Sequence, residues 1–316
     1  MTRRDALTED QTTVRRLGRR VMRHVEWARS QGLARLVEED QLNPLVRASN
    51  RARKWRWRRL HGAPGQARPV YLVGVQRSGT NMIVRGLEAL PELEVHNEND
   101  RRVFSRYRLR SDDVVRSVIA ASPHRFVLFK PLADSHRVDE LLGIESPRPA
   151  LAIWAYRPVD GRVRSALAKF GDANLRVLRE VASGEGAERW QAQRLSEQSM
   201  ELVRSFDYDR MSPATAAALF WCVRNALYFD LGLHERDDVT LVSYRSLVER
   251  PEATMRPLCS FLGLAFDPRL VAHIAARASA GAAPLELDPV VRRACEDLQD
   301  RLDHAADEKS LGHSPE

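Results

Sequence analysis

The sequence predicts an α/β fold, a three-layer sandwich around a central parallel sheet with a basic helical extension at its N-terminus. Three observations predict it. The apolar runs Val70–Val75, Phe126–Phe129, Leu151–Tyr156 and Val239–Val242 are rich in Val, Ile, Leu and aromatics, as strands buried on both faces should be. Helical patterns stand between these runs, which gives the βαβ alternation of a parallel sheet. The first run also feeds a glycine-bearing loop and then a helix, the geometry in which backbone amides hold an anion.

The elements follow in order. Residues 1–66 read as a helical extension and linker, 67–275 as the α/β domain and 276–316 as a tail with a helix. In the extension, Val14–Arg29 and Gln41–Leu60 mix apolar positions with arginines at helical spacing. The linker is His61-Gly62-Ala63-Pro64-Gly65-Gln66. Further helices are predicted over Met82–Leu90, Ser111–Ala121 and Asp160–Phe170. A long one starts at Ser212-Pro213, a capping serine with proline at the first helical position, and runs to about Gly232. Pro251–Leu262 forms another, closed by Gly263.

Composition narrows the classes. The chain has 316 residues, enough for one well-buried domain, and an ordinary apolar fraction of 43%. Residues 1–70 carry an excess of ten positive charges, while the rest sums to about −3, so the net +7 belongs to the extension. Arg51-Ala52-Arg53-Lys54-Trp55-Arg56-Trp57-Arg58-Arg59 is its densest part. It reads as a solvated helix face with tryptophans packed on the domain, or as peripheral contact with an anionic membrane; no nucleic-acid partner is expected. Cys222, Cys259 and Cys295 have neither zinc nor disulfide-framework spacing, so a reducing compartment and no metal are expected. No uncharged apolar run is long enough to span a bilayer, and Arg3-Arg4 has no apolar segment behind it. The expected location is cytoplasmic, with peripheral contact at the inner membrane face.

The loop is Gly74-Val75-Gln76-Arg77-Ser78-Gly79-Thr80-Asn81. It keeps both glycines of the nucleotide-triphosphatase pattern G-x-x-x-x-G-K-[ST], but Thr80 replaces the lysine and Asn81 the metal-binding hydroxyl. The nearest cation is Arg77, which suits a nucleotide's 5′ phosphate better than metal-assisted γ-phosphoryl transfer. Farther on, Arg157 ends a strand at Tyr156-Arg157-Pro158, and Ser165 lies one to two turns into the following helix. A guanidinium with a hydroxyl there suits a second, separate phosphate. Lys130 ends the second strand between apolar flanks and is one of four lysines in an arginine-rich chain. The aromatic helix around Trp221–Phe229 reads as core, and Arg224 within it needs either an anion or an internal carboxylate.

Together these segments resemble the PAPS-dependent sulfotransferases, which use 3′-phosphoadenosine 5′-phosphosulfate, and among them the bacterial and carbohydrate type rather than the cytosolic phenol type. The resemblance covers about Val70 to Pro268 and rests on Gln76–Thr80, on Arg157 with Ser165, and on Val242–Glu252 followed by Leu258–Leu264. It implies a P-loop NTPase-like fold and metal-independent in-line transfer of a sulfuryl group to a hydroxyl or amine, leaving 3′,5′-ADP. Arg77, Ser78, Gly79, Thr80, Asn81, Arg157 and Ser165 would hold the donor, with Arg77 and Lys130 bearing the charge that develops. The phenol type places a histidine base two residues after the lysine, where this chain has Leu132. The resemblance puts the base instead after the first loop's helix, at Glu98 or else His96, with Asp134 and His136 as further candidates. The acceptor, a small molecule, carbohydrate or lipid, is not specified, nor is the oligomeric state. The alternatives are an atypical P-loop kinase or phosphotransferase and a catalytically idle P-loop binding domain.

Overall fold

The computed structural model of the chain describes residues 44–275 and 283–312. The chain divides into two compact units, Met1–Ala52 and Arg53–Glu316. Of the first, only the beginning of helix α1 (Pro44–His61) falls among the described residues. The helix expected over Val14–Arg29 lies outside them.

The second unit is built on strands β1 (Arg68–Gly74), β2 (Leu93–His96), β5 (Phe126–Phe129), β6 (Leu151–Tyr156) and β7 (Val239–Ser243), all parallel, with β3 (Phe104–Ser105) and β4 (Arg108–Leu109) forming a separate small hairpin. The sheet order is β2-β5-β1-β6-β7. Between the strands run α2 (Thr80–Glu88), α3 (Asp112–Ala121), α4 (Val138–Leu142), α5 (Val159–Phe170), α6 (Ala173–Ala182), α7 (Glu197–Arg204) and α8 (Pro213–Asp230). After β7 come α9 (Tyr244–Glu249), α10 (Pro251–Leu262) and α11 (Pro289–Gly312).

Alternation along the strands explains the three layers. Val70 and Leu72 of β1 point to one face, against Ile83, Val84 and Leu87 of α2 and Met255 and Leu258 of α10. Tyr71 and Val73 point to the other, into a larger core with Val163, Leu178, Trp221 and Leu298. Trp154 and Trp221 are wholly buried there, so the aromatic stripe of α8 is core. Helix α8 starts where expected, with Ser212 Oγ accepting from the Thr215 amide and Pro213 in the first turn. The tail's helix α11 belongs to this layer: Val291, Cys295, Leu298 and Leu302 are buried and the Tyr156 hydroxyl donates to Asp303 at 2.5 Å.

The four predicted strands are the four inner and right-hand strands of the sheet. The fifth, β2, is not among the strands predicted from sequence. It is an edge strand of mixed composition, Leu-Glu-Val-His, with its two middle residues half-buried, so it shows no continuous apolar run. The chain leaves β1 toward β2 and β5, then returns across β1 to β6. The carboxyl end of β1 therefore opens at the point where connections diverge, where parallel sheets bind ligands.

Candidate anion-binding site

At that point the loop Val75–Gly79 leaves β1 and enters α2. Gly74 has φ 124°, and a Cβ there would lie 2.2 Å from the Ala155 carbonyl of β6, so only glycine fits between the two strands. Ser135 receives the Gly74 amide at 3.0 Å and donates to the Leu132 carbonyl at 2.9 Å, which ties the loop's start to the turn after β5. Arg77 itself lies in the left-handed region, φ 73°, a conformation rare for a side chain with a Cβ. Gly79 follows at φ 87°, where a Cβ would meet Tyr244 Cδ2 at 2.4 Å. Helix α2 begins at Thr80 with no acidic residue in its first turn, so its N-terminal amides face the loop without a competing carboxylate. Ser78 is buried and its Oγ has no hydrogen-bond partner among the described residues.

Sequence-distant residues converge on this loop. Arg77 Nε donates to Ser165 Oγ at 2.9 Å, bringing the two expected phosphate-binding segments into contact. Arg157 lies with its Cζ 4.2 Å from the centroid of the Tyr244 ring. Tyr244 thus packs between Arg157 and Gly79, a bridge that sequence reading missed, although the residue lies within Val242–Glu252.

A second missed residue is Arg162, one turn after Arg157. It is almost fully buried and pairs with no carboxylate among the described residues. Its Nε donates to the Gln76 carbonyl at 3.3 Å, and its Nη1 to the Ala217 carbonyl at 2.8 Å and to Asn174 Oδ1 at 3.4 Å. Burial, with Arg77 nearby, pulls its pKa down to about 9. Its only sequence signal is an arginine at a helix position that faces the core.

On the β5 side, His96 pairs with Phe129 across the β2–β5 ladder, and the Lys130 amide donates to the His96 carbonyl at 3.1 Å. Glu98 and Lys130 therefore emerge together at the sheet's carboxyl edge. Lys130 Nζ donates to Asn81 Oδ1 at 2.7 Å and lies 3.4 Å from Glu98 Oε2. Glu98 is no open loop carboxylate: burial raises its pKa above the ordinary value, while the Lys130 charge works against that rise.

His96 has a different setting. It is fully buried and stacked on Phe129, with Nδ1 2.8 Å from Asp100 Oδ2 and Nε2 3.3 Å from Glu94 Oε1. Burial works to raise Glu94, but hydrogen bonds with His96 and Ser122 prevail and bring it down to about 2. Asp134 is also buried, accepting from Arg108 Nε at 2.9 Å and from the Leu109 amide at 2.7 Å. Burial, then the charges of Arg224, Arg108, Arg137 and Arg194, lower the His136 pKa to about 3. The structure thus groups Arg77, Ser165 and Arg162 at the loop and Asn81, Lys130 and Glu98 at its helix. His96, Asp134 and His136 sit inside buried polar networks.

Of its two expected partners, an internal carboxylate is not found beside Arg224 among the described residues. Its Nη1 donates to the carbonyls of Trp190, Gln191 and Gln193 at 3.2, 3.5 and 3.3 Å, pinning the segment before α7. Burial lowers its pKa to about 9, and it lines a narrow crevice with Gly74, Val75, Gln76, Leu132, Ser135 and Trp190.

No protein-family model matches the chain, and no curated protein matches it. Three solved structures similar to it are sulfotransferases. The sulfotransferase domain of the Synechococcus PCC 7002 olefin synthase is 16% identical, with 76% of this chain and 97% of that one covered and a TM-score of 0.40. The sulfotransferase domain from the curacin biosynthetic pathway is 14% identical, with 75% and 98% covered and a TM-score of 0.42. Mouse sulfotransferase SULT7A1 complexed with PAP is 10% identical, with 82% and 92% covered and a TM-score of 0.38. Likeness at this level transfers no ligand and no residue role to this chain. Among the described residues no helix is long and apolar enough to cross a membrane.

Proposed function

We propose that this chain is a sulfotransferase that moves the sulfuryl group of PAPS to a hydroxyl or amine acceptor. The observation that carries this reading is the hydrogen bond between Arg77 and Ser165, which joins the two segments proposed to bind anions at the carboxyl end of β1. A donor with phosphates on both sides of one ribose is the compact match for two such segments. The residues present fit it: among the described residues Ser78 Oγ is buried without a partner and Arg162 is a buried cation without a carboxylate, and only glycine fits at Gly79 beneath Tyr244. Bound there, PAPS would supply an activated sulfuryl group and a leaving 3′,5′-ADP.

The chain's own residues would then do the following. Arg77, Ser78, Gly79, Thr80 and Asn81 hold the 5′ side through loop amides and the start of α2. Arg157 and Ser165 hold the 3′ phosphate, with Tyr244 fixing the guanidinium by cation–π contact. Glu98 accepts the acceptor's proton, its raised pKa making it a better base than an open glutamate. Lys130, held by Asn81 and Glu98, and Arg77 face the negative charge that builds on the leaving oxygen, each such donor being worth about 10²–10³-fold. These cations supply the electrostatic stabilisation, so no metal is invoked.

Calorimetry tests the reading. Binding of 3′,5′-ADP without magnesium, lost in Arg157→Ala, is the expected result. Magnesium-dependent ATP binding with no response to 3′,5′-ADP would overturn it in favour of a phosphotransferase. Binding of neither would leave an idle domain. Transfer from labelled PAPS across an acceptor panel then identifies the substrate.

A further inference from the structure

We infer that the outer face of α1 between Arg53 and His61 is a docking surface for an anionic lipid bilayer. The two tryptophans of this helix settle which face is outer. Trp57 is half-buried and lies flat on His124, with ring centroids 5.6 Å apart and planes 3° from parallel. Trp55, two residues earlier, turns away from the domain and is 51% exposed. Leu60 is 66% exposed, among the most exposed large apolar residues described.

In helical projection Arg59 and Arg56 fall between Trp55 and Leu60, with Arg58 on the other flank of Trp55, while Trp57 and Lys54, both half-buried, lie on the opposite side. Arg56, Arg58 and Arg59 are all exposed, and no acidic residue occurs between Arg53 and His61 to offset them. The Arg59 guanidinium stands 4.3 Å from the Trp55 ring centroid, so the cation and the aromatic surface are presented together.

This arc combines the two attractions of an interfacial helix. Exposed arginines are drawn to an anionic leaflet, and an indole with an aliphatic side chain settles at the boundary of headgroups and acyl chains. A nucleic acid would use the arginines, but it gives the exposed Leu60 nothing to bury against. The bilayer uses every residue of the arc. The proposal uses none of the residues of the loop after β1, so it holds whatever reaction that loop serves.

The test is flotation of the full-length protein with vesicles of phosphatidylcholine alone and of phosphatidylcholine mixed with phosphatidylserine. The protein should float with the mixed vesicles, remain behind with the neutral ones and be released by high salt. Replacing Arg56, Arg58 and Arg59 together by glutamine should weaken partitioning about a hundredfold, since each surface cation contributes roughly a factor of five. Trp55→Ser should weaken it several-fold with all charges kept. These residues are exposed, so unchanged circular dichroism is expected for both variants. Equal partitioning onto both vesicle types, or none, overturns the proposal. So does loss in the arginine variant with none in Trp55→Ser, if duplex DNA binds as tightly as the mixed vesicles; that pattern describes a general polyanion surface.

Discussion

Arg77 Nε and Ser165 Oγ lie 2.9 Å apart although 88 residues separate them in the chain. The contact exists because β1 and β6 are adjacent parallel strands whose following turns open at the same edge of the sheet. If both side chains grip one bisphosphate, their contributions to its affinity are coupled. Arg77→Ala should weaken 3′,5′-ADP binding about 10–100-fold, the worth of a charge-assisted hydrogen bond. Ser165→Ala should cost less, and the double variant less than the product of the two. Calorimetric titration of the four proteins measures this; strictly multiplicative losses would show that the two residues act on unconnected groups.

Gly79 and Tyr244 make the cradle steric as well as electrostatic. Gly79→Ala forces a Cβ to 2.4 Å from the ring and keeps a backbone φ of 87° that alanine resists. It should lower stability by about 1–3 kcal/mol and abolish tight 3′,5′-ADP binding. Tyr244→Phe keeps the ring over Arg157 and should bind normally, whereas Tyr244→Ala should lose several-fold in affinity. Urea melts and titrations of the three variants separate these effects.

Glu98 must be ionised to take a proton. Burial raises its pKa, so the acid limb of the rate profile should lie above the ordinary glutamate value of 4.5 rather than below it. Lys130→Ala removes the cation that restrains the rise and should move that limb further up while lowering the plateau. A pH–rate profile with the limb unchanged in Lys130→Ala argues against Glu98 as the base. Glu98→Gln should leave 3′,5′-ADP binding largely intact and remove turnover.

Glu94 gives the fold an acid-sensitive point. Its folded pKa is about 2 against an ordinary 4.5, so its ionised form stabilises the native state above pH 4.5. That contribution is lost as pH falls from 4.5 toward 2. Thermal melts should therefore drop steeply across this window, and Glu94→Gln should flatten part of the drop while lowering stability at neutral pH. An identical pH profile in the variant would show that the His96 and Ser122 contacts stabilise nothing.

Arg162 links the loop to the core. Arg162→Met leaves the Gln76 and Ala217 carbonyls without their donor and should cost about 2–4 kcal/mol in denaturant unfolding. Arg162→Lys keeps the charge but not the fork, so it should recover anion affinity only in part.

Much of this was legible in the chain because the signals are local. Val70–Val75, Leu151–Tyr156 and Val239–Val242 are buried on both faces and so carry continuous apolar runs. Ser212-Pro213 and Gly263 are helix ends written in residues whose backbone preferences need no tertiary partner. Edge strand β2 was not legible, because a half-covered strand has no continuous run and Glu94 and His96 are explained only by Asp100, Ser122 and Phe129 around them.

By itself the sequence determined the α/β class, the loop Gly74–Asn81 and the residue types able to bind anions. Backbone propensity, apolar periodicity and spacing are properties of neighbours in the chain. Tertiary structure alone decided which of those residues meet. Parallel pairing of β1 with β6, and of β2 with β5, set Arg77 beside Ser165 and Glu98 beside Lys130. Packing placed Tyr244 between Gly79 and Arg157, and it buried Arg162 behind the loop with carbonyls rather than a carboxylate. The worth of a buried charge depends on what surrounds it in space, and that is not written at its own position in the chain.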